Sequence, residues 1–127
     1  SVGGIQTNLK QKIQSGKFRK EDLAYSCQET VFSMLLEVAE RAMAHCEKKD
    51  LLLGGGVCCN IRFQEMAHQM CKERGARCFI PERSVLVDNG AMIAWLGILQ
   101  AKGAKPIGSY DIQPRERTDD VEVTWTY

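Results

Sequence analysis

The chain lacks the features that would place it in several large classes. No apolar run approaches the roughly 20 residues needed to cross a bilayer, and the N-terminal stretch does not read as a signal peptide. None of the six cysteines forms a C-x-x-C pair, and adjacent Cys58 and Cys59 cannot readily supply two ligands of a regular tetrahedral zinc site. Charge of one sign is also missing: the formal net charge is +1, giving no global electrostatic attraction to nucleic acid or to a membrane surface. There is no internal repeat, no low-complexity segment and no G-K-[ST] phosphate loop. With 127 residues, 44% hydrophobic and 26% charged, the chain suits one soluble domain that buries roughly two thirds of its unfolded surface. It starts at Ser1, which is compatible with a processed protein or with a piece of a larger one. Several cysteines, among them Cys27, Cys46 and Cys71, lie in apolar helical patterns, where the free thiol behaves as a small hydrophobe. The six are read as reduced thiols of a cytosolic protein.

The polar N-terminal region carries Ile5, Leu9 and Ile13 at four-residue spacing, a weak amphipathic helix broken by Gly16. Lys10, Lys12, Lys17, Arg19 and Lys20 follow one another with no acidic residue between them. They could touch a phosphate backbone; the plainer reading is a solvated face and loop. From Glu21 to Lys48 runs the longest helix pattern, with Ala24, Cys27, Val31, Leu35, Val38 and Ala42 in one stripe. Phe32, Met34, Met43 and Cys46 widen that stripe, so the helix is expected to be largely buried. His45 at its end and His68 further on have no second ligand at helical spacing and read as surface or capping residues.

The chemistry concentrates at Leu51-Leu52-Leu53-Gly54-Gly55-Gly56-Val57-Cys58-Cys59-Asn60. Asp50 to Leu53 reads as a buried strand, the glycines as a turn, and Asn60 as the start of a helix running to Arg74, with Gly75 as its left-handed stop. Arg77 to Ile80 reads as a second strand ended by Pro81, so the order strand–helix–strand implies a right-handed parallel crossover. A strand, a glycine turn and a helix N-terminus expose backbone N–H groups that can hold the oxygens of a nucleotide or another anion. Tight turns of this kind also need glycine for purely structural reasons. Asn60 suits a ribose or base edge, and equally an ordinary N-cap. Pro81 to Val87 reads as a loop. Asp88 precedes Asn89-Gly90 and a helix pattern from Ala91 to Lys102 with Ala91, Ala94, Trp95 and Ile98 as its stripe. Asp88 can be an N-cap or a metal ligand, and a single carboxylate does not hold a divalent ion without further ligands. Residues 104–127 read as an extended, partly ordered tail with one edge strand near Val121–Trp125.

Four segments together resemble one family. Gly55-Gly56-Val57-Cys58-Cys59-Asn60-Ile61-Arg62-Phe63-Gln64-Glu65-Met66 is similar to the G-G-V-x-x-N-x-x-L/F-Q-E-M segment of the tRNA threonylcarbamoyladenosine synthase family, formerly O-sialoglycoprotein endopeptidase. Asp88-Asn89-Gly90-Ala91-Met92-Ile93-Ala94 resembles its D-N-G-A-M-I-A motif, and Ser26 to Phe32 its S-x-Q-x-T-V-F helix. The ending Arg117 to Trp125 resembles the tail of the eukaryotic and archaeal branch. Cys58 stands where the family often has Gly or Ala. The resemblance implies an α/β chain forming the C-terminal lobe of an actin-like ATPase fold, shared with sugar kinases and Hsp70. It implies transfer of a threonylcarbamoyl group from threonylcarbamoyl-AMP to the adenosine beside the tRNA anticodon, with this lobe alone silent. Gly55, Gly56 and Asn60 match the segment that contacts the nucleoside part of threonylcarbamoyl-AMP or of ATP/ADP. Asp88 matches a ligand of one divalent metal ion (Fe, Zn or Mg), whose co-ligands lie outside this chain; the family's H-x-x-x-H pair does not occur here. No catalytic residue is identified. The implied partners are tRNA and the KEOPS subunits, including a small protein kinase, in cytoplasm and nucleus and without a membrane. Two other readings remain open: an interaction lobe docking that kinase, and a free-standing Rossmann-type nucleotide binder. The old peptidase name finds no support, since no complete zinc motif and no nucleophile–base pair is present.

Overall fold

The computed structural model describes residues 3–101, 112, 114, 115, 117–120 and 123. It divides into two compact units, Ser1–Val87 and Asp88–Tyr127.

The first unit is α/β and mostly helical. Helices α1 (Gly3–Ser15) and α2 (Lys20–His45) precede strand β1 (Asp50–Leu52), a 3-10 turn (Gly56–Cys59) and helix α3 (Ile61–Glu73). Strand β2 (Arg77–Phe79) and the one-turn helix α4 (Arg83–Leu86) complete it. The expected strand–helix–strand unit is present: β1 and β2 pair in parallel, Leu51 opposite Cys78 and Leu52 opposite Phe79. Each strand ends one residue before its expected span, at Leu52 and Phe79 in place of Leu53 and Ile80, although Leu53 still donates its N–H to the Phe79 carbonyl at 3.0 Å. Leu51, Leu53, Cys78 and Ile80 turn toward the core, while Leu52 and Phe79 are 70% and 45% exposed. That alternation follows from the two-residue period of a strand.

Helix ends follow their sequence signals. Gly75 takes φ +63°, and Ala76 N donates to Cys71 O at 2.7 Å while Gly75 N donates to Lys72 O at 3.1 Å. These two bonds are the Schellman pattern that consumes the last carbonyls of α3. Helix α2 ends in the same way around Glu47, with Lys48 N bonded to Met43 O at 2.9 Å, but there the left-handed residue is not glycine.

The core is Phe32 and Leu36 from α2, Leu53 after β1, Cys58 in the 3-10 turn, Phe63 and Ala67 from α3, and Leu86 from α4. Phe32 and Phe63 meet edge to face, with ring centroids 5.0 Å apart and planes at 68°. Such pairs contribute about 0.5–1.5 kcal/mol beyond their burial. Ala67 has no exposed surface, so its small side chain allows close approach of α3 to its neighbours. At the edge of this contact Arg62 grips Glu29 through two parallel bonds of 2.8 Å. The hydrogen bond from Arg62 holds the Glu29 carboxyl below the ordinary glutamate value.

Three expectations change. Helix α2 is not largely buried: only Leu23, Phe32, Leu36 and Met43 are, whereas Leu35 and Val38 from the expected stripe are exposed. One layer of partner structure covers one face of α2, and a helix apolar over much of its circumference leaves the opposite face open. The expected loop 81–87 contains α4, which exists to bury Leu86; four residues are too few to display a helical period. Ile61, an apolar residue at the start of α3 that would be expected to be covered, is 72% exposed.

In the second unit, α5 (Gly90–Gln100) is followed by a 3-10 turn at Thr118–Asp120. None of α5 is buried, including the expected stripe residues Trp95 and Ile98. The expected edge strand near Val121–Trp125 falls outside the described residues, apart from Val123. Among the described residues, no helix is long and apolar enough to cross a membrane.

Two outcomes test this packing. Phe63→Ala should destabilise the unit by about 3–5 kcal/mol, read from urea unfolding. The Glu29 contribution has a defined pH sign. Its folded pKa lies below the unfolded value of 4.5, so the stabilisation is complete above that value and is lost as pH falls through the depressed folded pKa. Glu29→Gln should therefore flatten the acid limb of stability against pH; identical acid limbs would remove the pair from the account.

Candidate functional site

The glycine turn is built from behind. Cys58 is buried and its thiol donates to the Gly54 carbonyl at 3.1 Å. Gln64, one turn into α3, donates its amide to the Cys58 carbonyl at 2.7 Å. Cys58 N bonds Gly55 O and Asn60 N bonds Val57 O, both at 3.0 Å. The side chain at position 58 thus points into the core and does not crowd the outer side of the turn. Burial pushes the Cys58 thiol above its ordinary pKa, so it is neutral near pH 7 and no nucleophile.

The outer side is open. Gly55 sits at φ +92°, where only glycine is unstrained. Gly54 and Gly56 have neither a positive φ nor any atom within 4 Å of where a Cβ would stand. Among the described residues, nothing requires glycine at those two positions. Among the described residues no partner is found for the backbone N–H groups of Gly54 and Gly55.

Asn60 fills the structural role that its position at a helix start allows. Its Oδ1 accepts from Phe63 N at 3.3 Å, capping α3, and its Nδ2 donates to Gln28 Oε1 at 3.3 Å. One amide hydrogen and one oxygen lone pair remain for another partner. Gln28 and Glu29, neighbours on α2, thus bind Asn60 and Arg62, neighbours at the start of α3. Sequence reasoning passed over Gln28, Glu29 and Arg62. The available signal was a polar pair, Gln28 and Glu29, one turn before the buried Phe32 of α2.

Gly55, Gly56 and Asn60 therefore share one turn of the first unit, while Asp88 opens the second. The N-cap reading of Asp88 is corrected: Asn89 caps α5, its Oδ1 accepting from Met92 N at 3.0 Å. Asp88 lies one residue outside the helix, exposed, with no ion pair or hydrogen bond among the described residues. It borders a shallow concavity with Asn89, Gly90, Met92 and Ile93. No group of three or more His, Cys, Asp or Glu able to hold a metal is found among the described residues. A free, exposed carboxylate fits one place in a ligand set and supplies no more than that. His45 and His68 are exposed, in keeping with their reading as surface residues.

All six cysteines are free. Burial, followed by the neighbouring Cys71, pushes the Cys78 thiol up to about 11, and burial likewise raises the Cys71 thiol. They behave as core residues, in keeping with the reduced-thiol reading.

Comparison with known proteins adds the family. Residues 1–95 match the family described as TsaD, tRNA N6-adenosine threonylcarbamoyltransferase. The protein of that name from Encephalitozoon cuniculi is 50% identical over 127 residues, covering 98% of this chain and 38% of its own length. The Methanothrix thermoacetophila protein of the same name is 52% identical, covering 98% of this chain and 39% of its own length. A Methanosarcina mazei protein, named a probable bifunctional tRNA threonylcarbamoyladenosine biosynthesis protein, is 46% identical over 98% of this chain and 23% of its own length. The chain thus spans well under half the length of these curated relatives, eukaryotic and archaeal. With 95 of its residues matched by the family model and relatives about 50% identical along nearly its whole length, this chain belongs to the tRNA N6-adenosine threonylcarbamoyltransferase family.

Proposed function

We propose that this chain forms the C-terminal lobe of a transferase with an actin-like ATPase fold, and one wall of its nucleotide cleft. The substrate is threonylcarbamoyl-AMP and the acceptor is the exocyclic amine of the adenosine beside the tRNA anticodon. The amine attacks the carbonyl carbon, the bond from that carbon to the phosphate oxygen of AMP breaks, and the nitrogen loses a proton. The observation that carries this reading is the open glycine turn. Gly54 and Gly56 are glycine without strain or crowding from this chain, which suits the approach of a ligand from outside. The free N–H groups of the turn suit phosphate or ribose oxygens, and Asn60 retains capacity for the nucleoside.

Asp88 is the proposed contribution of this chain to one divalent metal ion, Fe, Zn or Mg. Bound there, the metal would polarise the acyl donor and its phosphate. Its remaining ligands would come from polypeptide beyond this chain, as would the facing wall of the cleft. The exposed apolar residues Met92, Ile93, Trp95 and Ile98 on α5 support that view, since a helix this apolar with no buried residue calls for cover. The same surface favours a second reading, in which the lobe also docks the small protein kinase of the KEOPS complex. Binding of the intact protein to that kinase tests it, with Trp95→Glu expected to abolish capture. The protein would work on tRNA in cytoplasm and nucleus. The free-standing nucleotide binder has less support, because the turn lacks the third glycine of the dinucleotide fingerprint.

Three experiments test the transferase reading. In the intact protein, Gly56→Ala should leave stability unchanged while weakening threonylcarbamoyl-AMP binding about tenfold, a loss of about 1.4 kcal/mol; unchanged affinity would separate the turn from the ligand. Asp88→Asn should lower bound metal and reduce transfer to tRNA by at least about 100-fold, roughly 2.7 kcal/mol in the barrier. This chain alone should show no transfer, and clear turnover would sink the half-site view.

A further inference from the structure

The basic residues of the N-terminal region are not used by the glycine turn or by Asp88. The first twenty residues hold five of the seventeen basic residues and none of the sixteen acidic ones, leaving the remainder of the chain net acidic. Four of these cations lack any ion pair among the described residues: Lys10, Lys12, Lys17 and Lys20 are exposed and unpaired. Arg19 leans to Glu21 at 3.7 Å, and Asp22 follows, so acidic groups border this cluster only on its α2 side.

The corner between α1 and α2 that carries them is a built turn. Gly16 takes φ +66°, and its N–H bonds Ile13 O at 3.2 Å. Ser15 Oγ donates to Lys12 O at 2.8 Å and accepts from Lys17 N at 3.4 Å. Arg19 O accepts from Leu23 N at 3.2 Å, which fixes the entry to α2. At the centre of the corner Phe18 is 52% exposed, with Lys12 Nζ 5.5 Å from its ring centroid. A large aromatic ring held in solvent between lysines makes no contribution to a core. It matches the two requirements of single-stranded nucleic-acid binding: cations that track phosphates and a ring on which a base stacks. An acidic protein partner would use the cations and leave the ring without a role.

We propose that Lys12, Lys17, Phe18 and Lys20 form a contact surface for RNA, with the lysines on phosphates and Phe18 stacked on an unpaired base. This rests on the reading of the protein as a tRNA-modifying enzyme. It adds a binding surface outside the residues that hold the donor nucleotide.

The test measures tRNA affinity of the intact protein against KCl concentration by fluorescence anisotropy. The variant Lys12→Gln/Lys17→Gln/Lys20→Gln should bind at least about tenfold more weakly at low salt. The slope of log affinity against log salt should become shallower by roughly two, since each lost phosphate contact removes about 0.7–0.9. Phe18→Ala should weaken binding roughly fivefold without altering the slope. The triple Lys→Arg variant, which keeps the charges, should retain the wild-type slope and guards against a folding defect in the Gln variant. Wild-type affinity and slope in the triple Gln variant would overturn the inference and leave the corner to an acidic partner or to solvent. Absence of tRNA binding by the wild type would overturn it as well. Wild-type tRNA binding without threonylcarbamoyl transfer would instead sink the transferase reading, while the slopes still decide the surface.

Discussion

The fold of the first unit depends on one interface, the crossing of α2 and α3. Phe32 and Phe63 form its apolar centre, and on its rim Gln28 binds Asn60 and Glu29 binds Arg62. Its position matters because Asn60 is also the last residue of the glycine turn. Whatever fixes the start of α3 against α2 fixes where the turn emerges. The ion pair between Glu29 and Arg62 is partly exposed and contributes little net energy on its own. Its two parallel bonds add direction, so that α3 meets α2 in one register. The aromatic pair supplies the attraction.

Much of this was legible in the sequence because the signals were local. A three-leucine run, glycines, and a helix pattern closed by Gly75 read as strand, turn and helix, and the parallel pairing followed from the connection. The errors were of a different kind. Helix α4 is too short to show a period. The exposed face of α2 could not be foreseen, because an apolar side chain reports that a position can be buried, not that a partner is present. At Asp88 and Asn89 two good capping residues stand side by side, and only the helix start, one residue later than Asp88 would need, chose between them. Asn60 was legible as a cap and as a ligand contact, and the structure places it in the first role with capacity left for the second.

The cysteines illustrate how context decides chemistry. Six thiols in a chain of this length invite a disulfide or metal reading. Cys58, Cys71 and Cys78 instead sit where burial raises their pKa values and suppresses the thiolate. Cys58 does specific work at the turn through its bond to Gly54. Its side chain turns inward, so the outer side of the turn stays open.

The two-stranded parallel sheet carries one more implication. Strands of three residues are short, and sheets in globular proteins usually hold about four to six strands. Here β1 and β2 each have a second edge with no strand beside it among the described residues, and Leu52 and Phe79 lie together on the exposed face. Unpaired strand edges beside an apolar face are templates for further strands. Either edge is therefore a ready site for β-addition by a further strand.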